Sequence, residues 1–393
     1  MTSAIIITFC SLLLIAYVFD LTSSKTKIPS AILLLLLGWA LRQVIDFSRI
    51  QLPNFAPILP ILGTVGLILI VLEGSLELEL DRSKFKLISK SFAGALLPLF
   101  ASAFLLAFLF RYYGDISLRD GLINAIPFCI ISSAIAIPTV RNLNSITKEF
   151  VIYESSFSDI LGVLFFNFVV LNESFGGHSF SVFGLQFLII IIISFIATIA
   201  LSYLLNKIEH HIKFVPIILL VILIYAVSKV YHLPGLIFIL LFGLFIGNMD
   251  ELKRFKWIEK FKPEELNKEV RKFKELTGEA TFLVRALFFL VFGYLLETSE
   301  ILNPATLIWS ISIVAGIFVF RFIQLKISKL PLSPLLFIAP RGLITILLFL
   351  SIDPSQRIPL VNNSLIIQVI IFTALIMMAG LITLKKESFP EAS

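Results

Sequence analysis

The residues most able to do chemistry form the segment Glu154-Ser155-Ser156-Phe157-Ser158-Asp159, which opens a long apolar stretch. Ser155 and Asp159 are four residues apart, so a helix would place them on one face, as it would Glu154 and Ser158. A charge at bilayer depth costs at least about 2.5–3.5 kcal/mol and usually marks an ion pathway or a charge partner. An acid beside hydroxyl oxygens on one helix face suits a small hard cation or a proton.

The acids inside apolar stretches outnumber the bases. Glu73, Glu154 and Asp159 face two bases, Arg285 and Arg341. An arginine stays protonated in practice, whereas a desolvated carboxylate can take up a proton. Pairing both arginines therefore leaves one acid over, and we predict that it is Asp159, which lies deepest. A site that holds either a proton or a cation would couple the two flows, while Glu154 and Arg341 are predicted to form a buried ion pair.

Each of these residues also has a plain structural interpretation. Asp159 could be a structural acid paired with an arginine. Glu73 could belong to a cation funnel or to an ion pair, and Arg285 could pair with an acid or extend its charged end to the membrane surface. Ser132 and Ser133 could bind the ion or merely satisfy backbone groups freed by a helix break.

The composition is that of a chain embedded in lipid. Its 393 residues are 58% hydrophobic and 15% charged, with a mean hydropathy of +1.00. This predicts an all-α polytopic membrane protein and excludes an ordinary soluble domain. Apolar stretches of about 20 residues predict thirteen transmembrane helices. Their predicted bounds are 4–20, 28–45, 56–79, 88–112, 118–141, 150–173, 180–206, 214–232, 234–248, 278–296, 303–324, 332–351 and 364–384.

The basic residues predict the orientation of these spans. Of 32 Lys and Arg, 24 follow odd-numbered spans or lie in the C-terminal tail, six lie on the other side, and two are inside spans. This bias predicts a multi-pass plasma (inner) membrane protein with its N-terminus outside and its C-terminus in the cytoplasm. It also explains the net charge of +6 without nucleic acid. The charged segment 249–277 is predicted to be a cytoplasmic amphipathic helix, acting as a connector or as a sensor.

Two predicted spans carry matching breaks. The fifth contains Pro127, Ser132-Ser133 and Pro138, and the twelfth contains Pro334 and Pro340-Arg341-Gly342. Proline removes a backbone donor, and such breaks are tolerated at depth only where they are buried in protein or line a cavity. Spans 4–6 and 11–13 start on opposite sides, which predicts inverted three-helix repeats with two broken, crossing helices. This arrangement is typical of the binding site of a secondary transporter.

The depth of the polar residues agrees with this prediction. Asp159, Arg341 and Ser132/Ser133 each lie roughly 12–14 Å from the predicted cytoplasmic edge, near the middle of the bilayer. The sequence contains none of the common zinc-protease, serine-hydrolase, P-loop or dinucleotide motifs. We therefore expect neither an enzyme nor a cofactor.

With these residues in hand, the chain resembles the monovalent cation/proton antiporter superfamily, on its sodium/proton exchanger (NhaP-like) branch. The resemblance rests on four segments taken in order along nearly the whole chain. These are 66–74 in the third span, Glu154-Ser155-Ser156-Phe157-Ser158-Asp159 in the sixth, 288–293 in the tenth and Pro340-Arg341-Gly342-Leu343 in the twelfth.

The resemblance implies a domain organisation and a set of site residues. It implies a homodimer in which residues 88–173 and 297–384 form a six-helix transport core. Residues 1–87 and 174–277 would form the dimerisation scaffold, with 249–277 as a linker and 278–296 as a connecting helix. Asp159 and Ser155 would bind the ion, with Ser158, Ser132 and Ser133 near it. Glu154 with Arg341 would form the supporting ion pair, with Glu73 nearby.

Two positions depart from the family's pattern. Ser158 stands where the family has Asn or Asp, and Ser132-Ser133-Ala134 stands where it has Thr-Asp-Pro. With one acid left, we expect electroneutral exchange of Na⁺ (or Li⁺ or K⁺) for H⁺ by alternating access. The alternatives are a K⁺/H⁺ antiporter, a cation channel or efflux pore, and a non-transporting relative.

Overall fold

The computed structural model of the protein describes residues 2–48, 54–78, 82–140, 143–172, 176–207, 214–231, 233–248 and 263–383. The regular elements in these ranges are helices. In chain order they are α1 (Thr2–Thr26), α2 (Ser30–Ser48), α3 (Leu59–Glu77), α4 (Phe85–Gly114), α5 (Leu118–Cys129), α6 (Ser133–Thr139), α7 (Ser145–Leu171), α8 (Gly177–Lys207), α9 (Phe214–Val230), α10 (Leu236–Gly247), α11 (Pro263–Leu295), α12 (Thr298–Ile301), α13 (Pro304–Ile327), α14 (Leu343–Ser351) and α15 (Asn363–Thr383). Short 3-10 turns, Ala56–Ile58 and Arg82–Lys84, precede α3 and α4.

The all-α polytopic fold class is confirmed. Within the described ranges ten helical stretches are long and apolar enough to cross a membrane, with α5 and α6 taken together as one. Helices α9 and α10 are apolar but shorter. The predicted twelfth span, 332–351, is helical only in its second half, where α14 begins at Leu343. The count of thirteen spans therefore stays a prediction.

The predicted cytoplasmic helix 249–277 does not end where the tenth span was predicted to begin. Helix α11 runs without interruption from Pro263 to Leu295. Proline is favoured in the first turn of a helix, where its missing N–H is not needed. Gly278 lies inside α11 and does not interrupt it. Residues 249–262 of the predicted segment lie outside the described ranges.

Helix α7 positions the central carboxylate. Its N-cap residue Asn144 accepts a hydrogen bond from the Thr147 N–H, so the helix begins five residues before the predicted sixth span. At 1.5 Å per residue, Asp159 lies about 21 Å along α7 from Ser145 and about 18 Å from Leu171. Asp159 therefore lies close to the middle of a helix long enough to cross the bilayer.

The two predicted breaks are real, and they meet. Residues 130–132 separate α5 from α6, and the non-helical segment 331–342 precedes α14. The Ser132 N–H donates to the Pro340 carbonyl over 2.9 Å, and the Ile131 N–H donates to Ser158 Oγ over 2.9 Å. These bonds satisfy backbone groups that the breaks release from the helices, as burial at this depth demands.

Glycines allow α2 and α11 to approach at backbone distance. A Cβ atom on Gly38 would lie 2.2 Å from the Leu290 carbonyl oxygen, and one on Gly293 would lie 2.3 Å from the Leu35 carbonyl oxygen. Both distances are far below van der Waals contact. Close approach through small residues is a common source of helix association in membranes, where lipid offers no hydrophobic driving force.

We expect Gly38→Ala to destabilise the protein by about 1–3 kcal/mol, because the two helices must separate to admit the methyl group. The unfolding midpoint of the purified protein in detergent is the measurement. Gly316→Ala on α13 is the matched control, since a Cβ there meets no neighbouring atom within 4 Å. Equal midpoints for the two variants would contradict this account of the α2–α11 contact.

Candidate functional site

Asp159 is enclosed where α7 passes the break between α5 and α6. Its side chain is 1% exposed. Oxygen Oδ2 accepts hydrogen bonds from the Ser133 N–H (3.3 Å) and from the Ser133 hydroxyl. Oxygen Oδ1 is buried and accepts no hydrogen bond from the described residues. One half of the carboxylate is therefore positioned by Ser133, and the other half is open to a proton or a cation.

Four other serines surround this carboxylate or its break, and they differ in what their hydroxyls do. Ser155 Oγ donates to the Val151 carbonyl of its own helix over 2.7 Å, which leaves its lone pairs available. Ser158 Oγ accepts from the Ile131 N–H, so it holds the broken segment in place. Ser132 and Ser156 carry buried hydroxyls without a partner among the described residues. Hydroxyl and carboxylate oxygens are the donors that hard cations prefer.

The predicted ion pair between Glu154 and Arg341 is wrong. Glu154 pairs instead with Arg321 of α13, whose two terminal nitrogens lie 3.0 and 2.8 Å from the two carboxylate oxygens. The side chains of Glu154 and Arg321 are 1% and 2% exposed, and the Arg321 Nε–H donates to the Leu335 carbonyl over 2.6 Å. Gly94 of α4 makes room, since a Cβ there would lie 2.8 Å from Glu154 Oε1.

Sequence reasoning missed Arg321 because it was assigned to the predicted cytoplasmic side of the eleventh span. Helix α13 in fact continues to Ile327, so Arg321 lies more than a turn inside it and is buried. The signal was present in the sequence: Arg321 is flanked by Phe320 and Phe322, and Ile323 follows them.

Arg341 donates hydrogen bonds to backbone carbonyls at the helix break rather than to an acid. Its Nε–H donates to the Phe128 carbonyl over 2.6 Å, and its terminal nitrogens donate to the carbonyls of Ala339 (3.0 Å) and Cys129 (3.5 Å). Phe128 and Cys129 end α5, where carbonyls lack partners within the helix. A guanidinium supplies both the missing donors and a positive charge that the helix C-terminus favours.

Arg285 pairs with an acid that sequence reasoning did not consider. Its guanidinium lies 3.1 Å from Oδ1 of Asp20 on α1, and both side chains are largely buried. The same oxygen accepts from the Ser30 hydroxyl over 3.2 Å, and Arg285 also donates to the Ala134 carbonyl of α6 over 3.3 Å. Asp20 was the last residue of the predicted first span, and α1 in fact extends a further turn and a half to Thr26.

Glu73 lies half-buried on α3, facing α11. Its Oε1 is 3.4 Å from the position that a Cβ would occupy on Gly278. Glu154 and Arg285 each have a charged partner, and Arg341 is held by carbonyls. Among the described residues, no cationic side chain lies within ion-pair distance of Asp159.

A cavity of about 360 Å³ opens toward the end of the molecule at which α7 finishes. It lies between α3, α9 and α10 on one side and α7 and α14 on the other. Its lining includes Val163, one turn beyond Asp159, and the polar residues Thr64, Asn167 and Lys229. By the predicted orientation, this is the outer end.

The family described as sodium/hydrogen exchanger, transmembrane, matches residues 10–384. The chain belongs to this family. Among solved structures, it is similar to the sodium proton antiporter MjNhaP1 from Methanocaldococcus jannaschii at pH 8, with a TM-score of 0.70 and 17% identity over 96% of this chain and 100% of that one. An electron-microscopy map of the same antiporter gives a TM-score of 0.68 and 17% identity over 100% of both chains. At this identity the likeness supports the fold. No curated protein matches the chain.

The assignment of Glu154 to Arg321 can be tested by a double-mutant cycle. We expect Glu154→Gln and Arg321→Met each to destabilise the protein by about 3–5 kcal/mol. The first variant leaves the buried charge of Arg321 unpaired, and the second leaves that of Glu154 unpaired. The double variant should lose much less than the sum. The free energy of unfolding in mixed detergent titrations is the measurement.

The control cycle combines Glu154→Gln with Arg341→Met, and its coupling should be clearly smaller than that between Glu154 and Arg321, since the side chains of Glu154 and Arg341 form no direct bond. Strong coupling to Arg341 together with additivity at Arg321 would reverse the pairing described above.

Proposed function

We propose that the protein is a secondary antiporter that exchanges Na⁺ for H⁺ through the carboxylate of Asp159. Family membership supports the class of activity, a transporter rather than an enzyme. The observation that carries the proposal is Asp159 Oδ1, buried at mid-helix and without a partner among the described residues. A buried carboxylate costs free energy unless it is protonated or paired, so Asp159 requires a bound proton or cation.

A shared site couples the two flows without a second binding site. In one state Asp159 binds a proton and is neutral. In the other it binds a cation, with further oxygens supplied by Ser155, Ser132 and Ser133. The proton and the cation use the same oxygen, so they compete for it. If the transport site changed sides with neither bound, it would carry an unpaired charge through a low-dielectric interior.

Ser133 decides how many charges the site can hold. Its hydroxyl donates to Asp159 at the position where the resembled family carries an acid. A donor stabilises the carboxylate without adding a negative charge, so the site has one charge to exchange. We therefore propose that one Na⁺ exchanges for one H⁺, with Li⁺ and K⁺ as alternative cargo.

Alternating access requires that the site open to one side at a time. The cavity of about 360 Å³ comes within one turn of Asp159, at Val163, from the end at which α7 finishes. We propose that the core helices, α4–α7 and α13–α15, move against α3, α10 and α11. Helices α1 and α8 expose broad apolar faces, for example at Ile7, Leu14, Leu188 and Ile196, which suit lipid or a second copy of the chain, as in the predicted homodimer.

We expect Asp159→Asn to abolish exchange, because an amide can neither release a proton nor neutralise a cation. Purified protein in liposomes with an internal pH dye is the assay, with Na⁺ added to collapse an imposed proton gradient. Asp353→Asn is the matched control, an acid in an exposed loop that should exchange as the wild type does. Full exchange by Asp159→Asn would exclude Asp159 as the shared site.

We also expect the exchange rate to be independent of membrane potential. A net charge moved across 100 mV gains about 2.3 kcal/mol, so an electrogenic cycle would respond strongly to a clamped potential. Potassium gradients with valinomycin set the potential in liposomes assayed with Na⁺. A rate that follows the potential would show a stoichiometry other than one to one, and Na⁺ flux without proton movement would favour a channel.

A further inference from the structure

One charged side chain lines the cavity that reaches toward Asp159. Among the described lining residues, Thr64, Asn167 and Ser351 are polar, Lys229 is charged, and neither Asp nor Glu is present. A cation that reaches Asp159 through this cavity would therefore pass a fixed positive charge and no described negative one. This is the opposite of what concentrates a cation at a site, since a charged cleft attracts ions of the sign opposite to its own.

Lys229 lies in the last turn of α9, where the residue is exposed. Together with Thr64 and Tyr225 it also lines a neighbouring cavity of about 250 Å³, whose other described walls are apolar. Among the described residues, no acid lines either cavity. The charge of Lys229 therefore acts across the open space beside α3 and α9, with no described carboxylate in either cavity to neutralise it.

Lys229 also differs from the other bases on this side of the membrane. Five described Lys and Arg residues lie on the predicted outer side. Arg42, Arg119 and Arg357 donate to carbonyls at the ends of α11, α7 and α14. The side chains of Arg111 and Lys229 form no ion pair or hydrogen bond within the described ranges. Of these two, Lys229 is the one that lines the cavity.

We propose that Lys229 weakens the binding of Na⁺ at Asp159 from the outer side by making the cavity electropositive. This inference rests on the proposed exchange function and on the predicted orientation. The fixed charge cannot alter the equilibrium of the exchange, which the gradients of Na⁺ and H⁺ set. It raises the outer Na⁺ concentration at which the site is half occupied, so Na⁺ that has left through the cavity rebinds less readily.

The structural alternative is that Lys229 only stabilises the end of α9, because a cation is favourable near a helix C-terminus. The two roles differ in their dependence on ionic strength. Dissolved salt screens a charge that acts across water, so an electrostatic effect on Na⁺ binding must fade as inert salt is added. A contact at the helix end would change the unfolding midpoint instead and would leave the affinity for Na⁺ unchanged.

The test measures proton release driven by outer Na⁺ from right-side-out vesicles at alkaline pH, where outer protons compete least. The vesicles come from cells without other sodium/proton exchangers. At low ionic strength we expect Lys229→Gln to lower the apparent KM for outer Na⁺ about twofold and Lys229→Glu about fourfold, as for one and two unit charges acting across about 10 Å of water. Lys229→Arg keeps the charge and should keep the KM. Choline chloride at about 0.5 M should remove most of these differences.

Arg111→Gln is the matched control, because Arg111 is exposed in the last turn of α4 on the same predicted side but does not line the cavity. Its KM should equal that of the wild type. An unchanged KM in Lys229→Glu, or a shift of the same size in Arg111→Gln, overturns the inference while the exchange function stands. So does a shift that persists in choline chloride, or one that appears equally in inside-out vesicles. A wild type without exchange overturns the proposed function and this inference together.

Discussion

A polar group removed from water must find its partner inside the protein, and this constraint organises the interior of the molecule. Lipid offers no hydrogen bonds, so each break in a helix and each buried charge needs a defined neighbour. Ser158 and Pro340 satisfy the backbone where α5 gives way to α6, and Arg321 neutralises Glu154. Against this background, Asp159 Oδ1 is an exception, since it is buried without a partner among the described residues, and this is why we propose it as the place where an ion binds.

The arginines follow a second rule, because several of them complete the ends of helices. Arg341 donates to the last carbonyls of α5, Arg119 to those of α7, Arg42 to those of α11 and Arg357 to those of α14. Arg341, Arg119 and Arg42 come from distant parts of the chain, so their contacts also join separate elements, whereas Arg357 lies in the loop directly after α14. Arg341 therefore belongs with the helix caps, and its removal would loosen the crossing that holds Ser133 against Asp159.

The surroundings of Asp159 differ along α7. Toward the end of the helix, a cavity of about 360 Å³ is lined by Val163, one turn beyond Asp159, and has room for water. Toward the start of the helix, α7 packs closely on α3, where a Cβ on Gly74 would lie 3.1 Å from Ser156 Oγ. Arg285 links α1 to α6, since it contacts Asp20 and the Ala134 carbonyl.

Much of this protein is encoded locally. Apolar run lengths predicted most of the helices, although α11 begins well before the predicted tenth span and α14 covers only the second half of the predicted twelfth. Prolines and serines predicted both breaks, and the spacing of Ser155 and Asp159 predicted their shared helix face, because helical period and backbone chemistry act over a few neighbouring residues. Which charge meets which was decided only by packing. Glu154 selects Arg321 over Arg341, and Arg285 selects Asp20, because these partners lie on helices more than 160 residues apart in the chain. Their distances depend on how the helices cross, and pairing by count cannot supply that geometry.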